Sequence, residues 1–146
     1  MIIKKMDIET SKNNKGKILE LFNKYYGRIG YDIIGATELF ESVIERLNNG
    51  NMLFLTWGDY EGFLTCDWKT NPIKKRKEGV IWTVYNPDPK YKAKVLSMIE
   101  SEANQKGIDA IVFFAEKPLL FNKIVEDFGY NMTLGYFEKQ LKEGVK

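Results

Sequence analysis

The residue type used most often for proton transfer is missing, since the 146 residues include no histidine. Imidazole-activated serine and cysteine nucleophiles are thereby excluded. A zinc site is a poor reading with one cysteine and no histidine. Chemistry must run on carboxylates, tyrosines, backbone groups or a water. Glu61 and Asp67 fall on one predicted strand, Glu78 stands just before the next, and Glu116 follows a later one. A carboxylate takes a proton from an amine if its pKa is raised, or if it works through water. No spacing pairs these four, and solvent exposure is the ordinary fate of each. Trp82 and Tyr85 are better placed, on a central strand, although packing is the usual role of such rings.

The cationic residues group in two places. Lys74-Lys75-Arg76-Lys77 lies in a predicted hairpin loop near Trp68, and Lys90, Lys92 and Lys94 mark the start of a predicted helix. The first run has the character of a phosphate or nucleic-acid contact, or of a solvated loop. The whole chain carries 22 basic and 20 acidic residues, a net charge of +2, which argues neither for a nucleic-acid coat nor for a membrane surface. Cys66 has no partner for an internal disulfide and reads as a small core residue, natural in a reducing compartment. No apolar run approaches the ~18 residues of a membrane span, and Met1-Ile2-Ile3-Lys4-Lys5 lacks the apolar segment of a secretory signal. A soluble, cytoplasmic protein is the expectation.

These residues need a scaffold, and the hydrophobic pattern supplies one. Ile2–Met6 reads as a first strand. Ile18, Leu21, Phe22 and Tyr25 share one face of a helix over Lys15–Tyr26. Gly27, Gly30 and Gly35 punctuate the connection that follows, and Thr37 is the expected N-cap of a second helix, with Phe40, Val43, Ile44 and Leu47 on its apolar side. Met52–Trp57 and Tyr60–Trp68 form a hairpin around Gly58-Asp59, and Asn71–Lys77 is a polar loop. Val80–Tyr85 is apolar enough to be a central strand buried on both faces. Asp88 with Pro89 caps a long helix that runs to about Lys106, closed by Gly107. Ala110–Ala115 then runs parallel to Val80–Tyr85, because a helix separates them. A further helix from Pro118 to Gly129 and two short strands, Tyr130–Leu134 and Tyr136–Leu141, complete a single mixed α/β (α+β) domain over 1–146.

This order of elements resembles the GNAT superfamily of N-acetyltransferases across nearly the whole chain, with Val80–Leu141 as the cofactor half. Phe128-Gly129-Tyr130 looks like the family's leucine-glycine-phenylalanine close. The resemblance implies a mixed sheet that splays between Val80–Tyr85 and Ala110–Ala115, with acetyl-CoA lying in the splay against Val84 and Tyr85. It also implies a pyrophosphate loop of the form Gln/Arg-x-x-Gly-x-Gly/Ala, whose place is held by Lys90-Tyr91-Lys92-Ala93-Lys94-Val95. Lys90 stands for the Gln/Arg. Ala93 and Val95 replace the small residues that let backbone N–H groups approach an anion at a helix start, and a β-branched Val95 there would hold a phosphate off. Further on, Pro118, Phe121 and Val125 stand where the family often carries asparagine, alanine and a thiolate-protonating tyrosine, and Asn122 is a substitute for a lost contact.

Two functions fit these residues. The first is an acyl-CoA-dependent N-acyltransferase that moves an acetyl group to an amine on a small molecule or a protein. The second is a catalytically inactive GNAT-like binding or structural protein, of a kind similar to some bacteriophage-encoded chains. Tyr25, Tyr26, Tyr31 and Phe40 lie in the region that shapes the acceptor site in the family. They are suited either to an amine pocket or to a protein contact, including a homodimer.

Overall fold

In a computed structural model, which describes residues 2–29, 35–114, 131–133 and 136–141, seven strands form one mixed sheet. The elements in chain order are β1 (Ile3–Lys5), α1 (Ile8–Asn13), α2 (Lys15–Ile29), α3 (Ala36–Asn48), β2 (Met52–Trp57), β3 (Gly62–Asn71), β4 (Arg76–Tyr85), α4 (Lys92–Gln105), β5 (Ala110–Phe114), β6 (Asn131–Thr133) and β7 (Tyr136–Gln140). The sheet order is β1-β2-β3-β4-β5-β7-β6. All neighbours are antiparallel except β4 and β5, which run parallel on either side of the α4 crossover, as the helix between them requires.

Each face of the sheet has its own core. On one side, Ile18, Leu21 and Phe22 of α2 and Leu39, Phe40 and Val43 of α3 pack on Phe54 and Phe63. The rings of Phe22, Phe54 and Phe63 meet in tilted and edge-on pairs at 4.8–6.4 Å, geometry that adds about 0.5–1.5 kcal/mol per pair beyond burial. On the other side, Val95, Leu96, Ile99 and Ala103 of α4 pack on Leu53, Leu55, Trp57, Leu64, Cys66, Ile111 and Phe113.

Several boundaries differ from expectation, each for a local reason. Asp7 accepts a 2.7 Å hydrogen bond from the Thr10 N–H and starts α1, a six-residue helix too short for hydrophobic periodicity to announce. Its pKa is lowered by that backbone donor. Helix α2 runs through Gly27 to Ile29, so this glycine does not break it. Gly35, in extended backbone, is the N-cap of α3; Thr37 lies inside the first turn and is exposed. Tyr60 has φ 56° and belongs to the β2–β3 turn. Glu61 stays in that turn, because β3 begins at Gly62. At the other end the polar loop contracts, since β3 reaches Asn71 and β4 already starts at Arg76. Asn71 closes this turn by accepting from the Ile73 and Lys74 N–H groups at 3.0 and 3.1 Å.

Arg76 therefore leaves the solvated lysine run. Its side chain is 1% exposed, and its Nε donates to Glu78 Oε2 at 2.8 Å. Glu78, too, sits within the strand and not before it, where Asn71 Nδ2 donates to it at 3.2 Å. A buried guanidinium is held only where a carboxylate and hydrogen bonds replace its hydration, and strand pairing supplies that geometry.

Candidate functional site

Among the described strands, β4 is paired on both sides only along Glu78–Ile81. Its parallel ladder with β5 runs from Glu78↔Ala110 to Ile81↔Phe113 and extends backwards to Lys77, whose carbonyl accepts from the Asp109 N–H at 2.9 Å. Beyond Ile81 the strand stays paired to β3 alone, through Thr83↔Thr65, Val84↔Leu64 and Tyr85↔Phe63. Among the described strands, Trp82–Tyr85 therefore has no ladder partner on the β5 side, and the backbone groups pointing there lie outside the sheet's hydrogen bonding.

A β-bulge marks the change. The register passes from Cys66↔Ile81 to Thr65↔Thr83, which leaves Trp82 as the extra residue. Thr83 is fixed above it: its N–H donates to Thr65 Oγ1 at 3.3 Å, and the two hydroxyls lie 2.7 Å apart. The Trp82 ring turns towards α3, with the Arg46 guanidinium 5.9 Å and the Lys69 ammonium 5.1 Å from its centre. Arg46 also donates to Asp67, a buried carboxylate whose Oδ1 has no hydrogen-bond partner. Trp82 and Val84 remain 56% and 47% exposed. The expectation of a central strand buried on both faces thus fails: Val80 and Ile81 are half-buried, and beyond them Trp82 and Val84 are exposed. Position in the sheet is central, but the bulge and the loss of β5 uncover the second half.

On the α4 side this parting opens into a cavity of about 440 Å³, within the ~300–1,000 Å³ range of small-ligand pockets. Asn86, Pro89 and Lys92 stand at one part of it, while Trp57, Leu64, Ile81, Leu96 and Phe113 line the sheet and helix walls. Asn86 Oδ1 is buried without a hydrogen-bond partner, a state that costs about 1–3 kcal/mol unless a ligand or water donates to it. The indole of Trp57 lies across Gly62. A Cβ at that position would collide with the ring and come within 2.7 Å of the Tyr85 carbonyl oxygen. Glycine at 62 is what allows a tryptophan from β2 to reach the end of β4.

The helix start beside the cavity is built from Asp88. Its carboxylate accepts from the Lys90 N–H at 3.1 Å and ion-pairs with Lys90 Nζ at 3.2 Å. The Lys90 N–H lowers the Asp88 pKa, and the hydrogen bond to Asp88 raises that of Lys90. Pro89–Tyr91 forms a 3-10 turn before α4 proper begins at Lys92.

The proposed cofactor residues therefore separate. Val84 and Lys92 line the cavity, with Tyr85 and Asn86 closing the strand beside it. Lys90, Ala93 and Lys94 are exposed around the first turn. Tyr91 instead buries its ring 6.3 Å from Trp57 and donates its hydroxyl to Glu61 at 3.3 Å. Val95 is buried in the core and also lines the cavity beside Lys92. Asn122, with Glu116, Pro118, Phe121, Val125 and Phe128–Tyr130, lies outside the described residues, as does Tyr31. Phe40 is buried against α2 and β2, which removes it from any contact surface, while Tyr25 and Tyr26 are half-buried. Burial pushes the Cys66 thiol pKa well up, with the neighbouring Asp67 charge adding to it, so this cysteine is no nucleophile.

Trp57, Asn86, Leu64 and Phe113 enter the site only through the structure. The one sequence signal for them is a glycine five residues after a tryptophan, across a tight turn. Among the described residues no cluster of potential metal ligands forms, and no helix is long and apolar enough to cross a membrane.

The fold is that of the GNAT acetyltransferases. An acetyltransferase of the GNAT family from Staphylococcus aureus MU50 superposes with a TM-score of 0.68 at 12% identity, over 97% of this chain and 99% of the other. A protein of Clostridium acetobutylicum, described as a predicted acetyltransferase and solved with acetyl-CoA, gives 0.71 at 16% identity over 91% of both chains. The PaiA N-acetyltransferase of Thermoplasma acidophilum, in complex with coenzyme A, gives 0.61 at 17% identity over 95% and 98%. No family model and no curated protein matches the sequence.

Proposed function

Taking the acetyltransferase fold as the premise, we propose that this chain binds a coenzyme A thioester where β4 and β5 part and passes its acyl group to an amine. The observation that carries the reading is the end of β4–β5 pairing at Ile81↔Phe113, directly beside a cavity containing an unsatisfied acceptor. The amide N–H groups of the cofactor's extended arm fit both features, with Asn86 Oδ1 accepting one and the unpaired edge of Trp82–Tyr85 offering strand-like partners. Lys90, Lys92 and Lys94 around the first turn of α4 suit its phosphates, where the helix start adds favourable potential. Ala93 is exposed and small enough to leave the backbone accessible.

The thioester, once bound, supplies an activated acyl group. The part of this chain is to orient it against the β4 edge and to receive the amine from the Trp82 side. With no histidine, the amine's proton passes to a carboxylate or to water. The acceptor is an amine on a small molecule or on a protein. Lys90 is tied to Asp88, and that pair has to open for Lys90 to reach a phosphate.

Titration calorimetry with coenzyme A and acetyl-CoA tests the reading. Binding with a micromolar to sub-millimolar Kd is expected, and Lys90→Ala with Lys92→Ala should weaken it at least fivefold. Absence of heat and of any thermal shift at millimolar ligand would leave the alternative, a GNAT-like binding protein without the cofactor.

A further inference from the structure

Resting on that thioester reading, we infer that the acyl group taken by this site is an unbranched aliphatic chain of four carbons or more, seated between α4 and strands β2–β5. An acetyl group needs only the edge of β4. The coenzyme's arm takes the Asn86 and Lys92 end of the cavity of about 440 Å³, and an acetyl group does not account for the rest, which Trp57 on β2 borders. The inner wall is apolar: Trp57, Leu64, Ile81, Leu96 and Phe113. Polar groups cluster instead around Asn86 and Lys92.

This division decides what occupies each part. An arm carrying amides, placed wholly inside, would need a partner for every N–H and C=O. Among the described residues the inner side chains offer one donor, the Trp57 indole N–H, buried without a partner beside Gly62. Each amide left unpaired there costs free energy, so the arm belongs beside Asn86 and the β4 edge. An alkyl chain asks for no partner and gains with every methylene buried. Gly62 and the bulge at Trp82 serve the same end. The first lets Trp57 lie flat as floor, and the second sends Trp82 towards α3, off the α4 face, so that Val84 and not the larger ring borders the space.

Calorimetry on the intact chain with CoA, acetyl-, butanoyl-, hexanoyl- and adipoyl-CoA tests this. Each buried methylene is worth about fourfold in affinity (about 0.8 kcal/mol), so hexanoyl-CoA should bind at least tenfold more tightly than acetyl-CoA. Adipoyl-CoA has the same length and a terminal carboxylate, and should lose that gain. Leu64→Phe fills the inner wall and should abolish the preference for hexanoyl-CoA, read as the ratio of its affinity to that of acetyl-CoA. If that variant does not fold, Leu96→Phe fills it from the helix. Equal affinity for acetyl-, butanoyl- and hexanoyl-CoA, with CoA still bound, would overturn the acyl-chain inference and leave the thioester reading intact. If neither CoA nor any thioester binds, both fall together.

Discussion

The two halves of β4 share one backbone and differ in nearly everything else. The first half, Arg76–Ile81, is paired on both sides from Glu78 onwards, buries Arg76 and Glu78, and has Gly79 so close to Trp68 that a Cβ would lie 2.7 Å from Cζ3. Among the described strands, Trp82–Tyr85 is paired on one side; it exposes Trp82 and Val84 and borders a cavity. The first half resembles protein interior and the second a built opening. A bulge of one residue separates them, and it converts a structural strand into one that can hold a ligand.

The largest expected effect lies in the closed half. Glu78→Ala removes the carboxylate that receives Arg76 Nε and should cost about 3–5 kcal/mol, read as a fall in the urea midpoint. A loss below about 1 kcal/mol would mean that the closed half is not held by this pair. Next, Gly62→Ala should cost about 1–3 kcal/mol through overpacking, because the new methyl displaces Trp57. The accompanying sign is a change in tryptophan fluorescence. An unchanged spectrum would show that the indole does not lie where the cavity floor needs it.

Cys66, opposite Ile81 at the border between the halves, gives a pH-dependent test. Its folded pKa is raised by burial above the ordinary 9.0, so above pH 9 the unfolded thiol ionises while the folded one stays neutral. Stability must then fall as pH rises, by at most about 1.4 kcal/mol per pH unit for one group. The stability difference between wild type and Cys66→Ala should accordingly shrink from pH 8 to pH 10. A constant difference would mean that the thiol is not sequestered. The smallest effect belongs to the open half, where Trp82→Ala removes an exposed ring and two cation–π contacts and should change stability by no more than about 1 kcal/mol. A larger loss would show that Trp82 is structural and the two halves less distinct than described.

The order of the described strands and of α2, α3 and α4, the parallel β4–β5 crossover, the Asp88 cap and the closing Gly107 at φ 70° were all legible in the chain. These follow from local rules: hydrophobic period, capping chemistry and the handedness of crossovers. The reading failed where partners come from afar. Arg76 belongs to a lysine run by sequence and becomes buried where Glu78, two residues along the same strand, receives its Nε and is itself held by Asn71 from across the hairpin. Tyr91 occupies a motif position, yet the 3-10 turn before α4 sends its ring into the core beside Trp57.

By itself, then, the sequence determined an acetyltransferase-like arrangement of elements without histidine chemistry. Those properties depend on residue type and on spacing along one segment. The tertiary structure alone decided that β4 changes character after Ile81. A bulge is a mismatch between two strands, and a cavity is the space that side chains from five separate elements leave unfilled. Neither has a value until the segments meet.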